Sequence, residues 1–226
     1  MGLLDDLKKQ AEIVRTHENV QRSAHAENVQ AVENAMQRTF AYLHDVLEQL
    51  KIIRPTNPVV YRLPGIGELS DLAYADSFVS YRTHLIADKA LYDRVELFIL
   101  WSAPQELLVE RDMPAAAEKV RNLLWRANVR FEENEQRGEQ GTTVLTRFRI
   151  PRALRMAVTI RADYVARRLV MVTKNLLRTG ADDFAFSVDE CNEKLLEDLA
   201  RLLLGQASDF RRFRTVLPEN SRLNPG

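Results

Sequence analysis

The side chains with the most chemical capacity in this chain are arginines held in an alternating pattern. Residues 147–178 carry nine Arg or Lys and one acid, Asp163, in a chain of zero formal net charge. Val144, Thr146, Phe148 and Ile150 alternate there with Leu145, Arg147 and Arg149. Leu154, Met156, Val158 and Ile160 then alternate with Arg155, Ala157, Thr159 and Arg161. A period of two sends one set to a core and the other to the opposite face of a sheet. Arg147, Arg149, Arg155 and Arg161 are therefore predicted to project from one side of adjacent strands. Guanidinium groups so grouped bind phosphates and other anions, or are neutralised by acids brought alongside. Residues 182–198 hold seven acids against Lys194 alone, so an acidic helix near the basic sheet is the first expectation and an anionic ligand the second.

The other reactive types are scattered. Among the four histidines, His17 and His25 are eight positions apart and miss the i, i+4 spacing of a helical zinc pair. His44 stands beside Asp45 on a helical flank, and His84 ends a strand-like run without a Ser or Cys nucleophile motif nearby. The lone cysteine, Cys191, lies among Asp189, Glu190 and Glu193, which disfavour a thiolate. It reads as a packing residue, and one cysteine permits no internal disulfide. Leu63-Pro64-Gly65-Ile66-Gly67-Glu68 contains a Gly-x-Gly but no third glycine, and no Gly-Lys-Ser/Thr occurs anywhere, so this is a turn rather than a phosphate loop. The acidic runs at 132–135 and 182–183 lack the alternating ligands of a calcium loop. Neither a metal nor a cofactor is predicted, and no catalytic constellation is visible.

Elements must position these residues. Residues 3–53 contain neither Pro nor Gly. Val32, Met36, Thr39, Leu43, Val46, Leu50 and Ile53 recur at about 3.5 residues, the spacing of a bundle or coiled-coil seam. Leu4, Leu7, Ala11 and Val14 mark a face in the first half, and the polar stretch 15–28 leaves one long helix or a helical hairpin equally open. Pro55 and Pro58 end this arm. Residues 55–70 read as a connector. Strands are predicted at 72–83, 92–102 and 106–111, then a helix capped by Asp112 with Pro114 in its first turn. A hairpin of strands 129–137 and 142–150 around 138–141, strands at 154–162, 165–175 and 184–187, and a last helix follow. Ser187-Val188-Asp189-Glu190 fits a capping box, and Leu195, Leu196, Leu199, Leu202 and Leu203 supply a buried face before Gly205.

The expected fold is therefore α+β: a mostly antiparallel sheet covered by two helices, with an N-terminal helical arm. The expected divisions are 1–54 arm, 55–70 connector, 71–205 α+β domain and 206–226 tail. Phe210–Arg214 is expected to be exposed. The longest apolar runs fall well short of the roughly 20 residues of a membrane span. No secretory leader is visible, and a cytosolic location is expected. The expected function is non-enzymatic protein–protein interaction or self-association. The arm would dock through Val32, Met36, Leu43, Val46 and Leu50, with a second copy of the chain as the first partner. The alternative is capture of an anionic ligand, nucleic acid first, on the arginine face. A sequence pI near 6.9 weighs against nucleic acid, because such domains usually carry a basic excess.

Overall fold

The computed structural model describes residues 3–86, 88–138 and 141–217; for Ile86, and for residues 3–22 apart from Glu12 and Arg15, it describes the backbone alone. The predicted Leu4/Leu7/Ala11/Val14 face, the side chain of His17 and the end of the tail lie outside the described residues.

The arm is one helix, α1 (Leu3–Ile53), in keeping with a segment free of Pro and Gly. It stops where Arg54 turns to a φ of 46°, just before Pro55. The connector then forms structure of its own. β1 (Thr56–Asn57) starts the main sheet, and β2 (Tyr61–Leu63) pairs with β3 (Gly67–Leu69) as a hairpin across the predicted turn. The hairpin buries Tyr61, Leu63 and Leu69. Two long strands follow, β4 (Leu72–Ile86) and β5 (Lys89–Arg111). α2 (Pro114–Arg126) leads to β6 (Glu132–Arg137), β7 (Thr143–Asp163), β8 (Arg168–Lys174) and β9 (Ala181–Ser187). A 3₁₀ turn at Val188–Glu190, α3 (Glu193–Leu203), a second 3₁₀ turn at Asp209–Phe213 and the short edge strand β10 (Arg214–Thr215) complete the described chain.

The chain is α+β. The main sheet curls and is antiparallel throughout, in the order β1-β4-β5-β7-β8-β9-β10, with β6 also on β7. β5 lies along one edge of β7, while β6 and then β8 share the other. The predicted runs 142–150 and 154–162 are thus one strand, and 92–102 and 106–111 are another. Pro151 and Pro104 mark the irregular point where they cross, because proline removes a ladder donor. β5 carries two extra residues there, so the inward–outward alternation survives the bend. At the gap between β6 and β8, Asn175 donates from Nδ2 to the carbonyls of Ala127 (3.1 Å) and Arg155 (3.2 Å), satisfying backbone that has no strand partner.

The apolar side of the curled sheet is covered by α1, α3, α2 and the small hairpin in one continuous core. Two caps differ from expectation. The Ser187–Glu190 box forms, but it closes the 3₁₀ turn; α3 begins later, with Asn192 Oδ1 accepting from the Leu195 amide at 3.0 Å. α2 starts after Met113 with no side-chain cap, so Asp112 does not serve. In the tail, Phe210 is buried among Phe184, Phe186 and Phe213, which corrects its expected exposure. The aromatic spacing packs this 3₁₀ turn against β9.

Candidate anion-binding face

The outward side chains of β7 divide into two neighbourhoods. At its N-terminal end, Arg147 lies opposite Glu110 and donates from Nε at 2.7 Å. Arg149 lies 3.3 Å from Glu106 and 3.8 Å from Glu132, its register partner on β6. These pairs are largely solvent-exposed, worth about 0–1 kcal/mol each. The compensating acids come from neighbouring strands and not from the 182–198 segment, which corrects the predicted acidic cover. Asp182 instead holds Arg178 at 2.9 Å and pairs with Arg214, while Asp189 holds Arg167 at 2.8 Å.

The C-terminal half of β7 keeps more positive charge. Arg155, Ala157, Thr159 and Arg161 face outward, flanked on β5 by Glu96 and Phe98 and on β4 by Phe78, Ser80 and Arg82. Ser80, Ala157 and Thr159 are short, and the taller side chains around them enclose a hollow of about 580 Å³. The guanidinium carbon of Arg155 sits 4.3 Å above the Phe98 ring centroid, a cation–π contact. Phe78 lies 6.1 Å from Phe98, tilted by 33°. Glu96 is shared by Arg94 (3.1 Å) and Arg82 (3.4 Å). Among the described residues, Arg155 and Arg161 make no ion pair, and Arg161 lies opposite a further cation, Arg94. Arg94 also lies 3.7 Å from Asp93, so two carboxylates serve the four arginines Arg82, Arg94, Arg155 and Arg161. Such a surface attracts anions, and the exposed Phe78 ring, next to the Arg155–Phe98 stack, offers a face on which a planar group can stack.

The predicted arm contacts have a different fate. Val32, Met36, Leu43 and Leu50 are buried, and Val46 is partly buried, in the core that α1 shares with the sheet and α3. The stripe is covered by the same chain, and none of the four fully buried residues is open to a second molecule. Phe78, Ser80 and Arg82 were missed as face residues. Their alternation in β4 is the available signal, but only the pairing of β4 with β5 and of β5 with β7 brings them to the β7 arginines.

Elsewhere, His25 is exposed and His44 approaches Asp45 at 3.5 Å on the surface. Among the described residues no group of three or more His, Cys, Asp or Glu side chains could hold a metal ion, and no helix is long and apolar enough to cross a membrane. Cys191 is buried against α1, and burial pushes its thiol up from the ordinary range, against smaller opposing effects of Thr39 and Arg38. Tyr164 donates to Glu33 of α1 and, at 2.7 Å, to the carbonyl of Tyr92; burial and the Glu33 hydrogen bond both raise its pKa. These groups lock α1 to the sheet and lie apart from the arginine hollow.

No protein-family model, curated protein or solved structure matches the chain. The fold and the face together describe an α+β protein with one sheet surface packed by helices and the other open and arginine-bearing.

Proposed function

We propose that this protein is a binding module that holds an anionic, ring-bearing chain, single-stranded nucleic acid first, in the hollow between β4, β5 and β7. The observation that carries this reading is the stack of Arg155 on Phe98 at one end of an open hollow that Arg82 and Arg94 line farther along, with Arg161 opposite Arg94. Arg155, Arg82, Arg94 and Arg161 would take phosphates, while the exposed Phe78 ring would take a base beside the Arg155–Phe98 stack. An open sheet face bearing aromatics suits splayed bases better than a duplex. The neutral global charge limits non-specific attraction, so the local cluster has to supply the affinity.

The test is fluorescence anisotropy of a labelled oligothymidylate over a salt series. Three to four phosphate contacts give a slope of log affinity on log salt of about −2 to −3. Arg155→Glu with Arg161→Glu should flatten that slope and weaken binding by more than tenfold, with the melting temperature unchanged. Absence of binding at low salt, or binding indifferent to the double substitution, would exclude this use of the face.

A further inference from the structure

β4 is an edge strand for most of its length. β1 covers only Leu72 and Ala73, and beyond them no described strand pairs with the outer side of β4. An uncovered edge presents a row of free amide and carbonyl groups, which natural sheets protect with charge, proline, bulges or brevity. This edge has little of that protection. Between Asp76 and Arg82 it contains no proline and only those two end charges, and Phe78 and Tyr81 are 56% and 49% exposed.

The regular part of the edge has a definite centre. The β4–β5 ladder shifts register between Tyr74 and Asp76 and again between Arg82 and Thr83. The unbroken run is therefore Asp76 to Arg82, seven residues with Val79 in the middle. A second copy added antiparallel, with its outer face kept outward, must pair residues of like parity, because a one-residue slip turns every side chain to the wrong side. Centring the two-fold axis on Val79 satisfies that rule and uses the whole regular run. It also sets Asp76 opposite Arg82 of the other copy, twice, and Phe78 opposite Ser80 twice. The Phe78 rings then become diagonal neighbours across the axis. Asp76 uses only Oδ1 within the chain, accepting from the Ser77 amide at 2.8 Å, and Arg82 makes a 3.4 Å contact with Glu96 on an exposed side chain, so both can reach across.

We infer that the protein forms a two-fold dimer in which the β4 strands of two copies pair antiparallel about Val79, joining their sheets into one. The position of the bulges and the placement of the opposite charges select that centre independently. Pairing uses backbone groups and end charges, and it does not depend on any ligand in the hollow.

Sedimentation equilibrium of the full chain tests it. The wild type should sediment at about twice the 26.0 kDa chain mass at micromolar concentration. Asp76→Arg alone, or Arg82→Asp alone, sets like charges opposite and should give single chains or weaken the dimer at least tenfold. The exchanged double variant, Asp76→Arg with Arg82→Asp, should restore it. Phe78→Lys, which removes no ion pair of the chain, should also give single chains with an unchanged circular dichroism spectrum, and it stands in if an Asp76 variant misfolds. A wild type that stays at one chain mass overturns the inference. So does an oligomer indifferent to these substitutions, or a folded double variant that stays single. Phe78 and Arg82 also line the hollow, so the separating variant is Asp76→Arg, which lies outside it and should lose the dimer while keeping oligonucleotide binding.

Discussion

Tyr61 donates its hydroxyl to the backbone carbonyl of Leu176 at 3.0 Å, across 115 positions of sequence. The same oxygen accepts from Asn57 Nδ2 at 3.2 Å. Both partners are buried, so one phenol ties the small β2–β3 hairpin to the loop after β8.

This tie sets an alkaline limit. Burial pushes the Tyr61 hydroxyl up to about 12, with the Asn57 hydrogen bond pulling weakly the other way. An unfolded tyrosine ionises near 10. Above that pH the unfolded chain binds fewer protons than the folded one, so stability falls with rising pH between about 10 and 12. Below 10 the contribution is fully present. Tyr61→Phe should cost about 1–3 kcal/mol at neutral pH, because it leaves Leu176 and Asn57 unsatisfied, and should flatten the alkaline slope. Denaturant unfolding at pH 8 and pH 11 measures both. An unchanged slope would assign the alkaline loss to Tyr164, Tyr92 or Tyr42, whose pKa values are also raised.

Leu43 lies in the middle of the α1 stripe with no exposed surface. Leu43→Ala should cost about 2–5 kcal/mol, according to how far the sheet closes on the vacated space. A carboxylate there would have no partner, so Leu43→Asp should prevent folding. Both follow from burial within one chain. The melting temperature of Leu43→Ala should therefore drop below that of the wild type by the same amount at low and high protein concentration, because the β4 edge is identical in both. A loss below about 0.5 kcal/mol would mean that the helix is not docked.

What could be read in the sequence was the alternation. The parity that sends Phe148, Met156 and Ile160 inward and Arg149 and Arg155 outward holds from Thr146 to Ile160, while Val144, expected inward, is exposed. The stripe from Val32 to Leu50 was equally clear as a buried surface. Its partner was not, because periodicity states that a face is covered and never by what. Strand number failed for a related reason. The predicted strands stopped at 102 and at 150 and resumed at 106 and 154, yet with Pro104 and Pro151 facing the same irregular point both strands continue past it. The arginine hollow was half legible, since Arg155 lies in the basic window with Arg161 farther along the same strand, but Phe78, Arg82 and Arg94 reach it only through strand pairing.

The two caps before α3 divide a task that the sequence assigned to one. Ser187 Oγ accepts from the Glu190 amide at 3.3 Å, and Asn192 accepts from Leu195 at 3.0 Å. Each substitution to alanine should cost about 0.5–2 kcal/mol. The shorter Asn192 bond opens the helix that buries Leu199 and Leu202, so Asn192→Ala should fall at the upper end and Ser187→Ala at the lower. Guanidinium titrations of the two variants give the order. The reverse order would mean that the 3₁₀ turn, and not the Asn192 cap, fixes the start of α3.

Cys191 reports whether α1 stays docked. Its sulfur lies 3.5 Å from Thr39 Oγ1, and Thr39 itself donates to the Ala35 carbonyl at 2.8 Å on the buried side of the helix. Two effects slow its reaction with a disulfide reagent. Burial excludes the reagent, and the raised thiol pKa lowers the thiolate fraction at neutral pH, the thiolate being the nucleophile. The native protein should therefore react orders of magnitude more slowly than the denatured chain. Labelling requires α1 to lift from the 3₁₀ turn before α3, so in the fast-closing regime its rate measures the free energy of that opening. Leu43→Ala should raise the rate in proportion to the stability it removes, while Arg155→Glu should leave it unchanged. Labelling of the native wild type at the rate of the denatured chain would show that Cys191 is open to solvent and that α1 does not cover it.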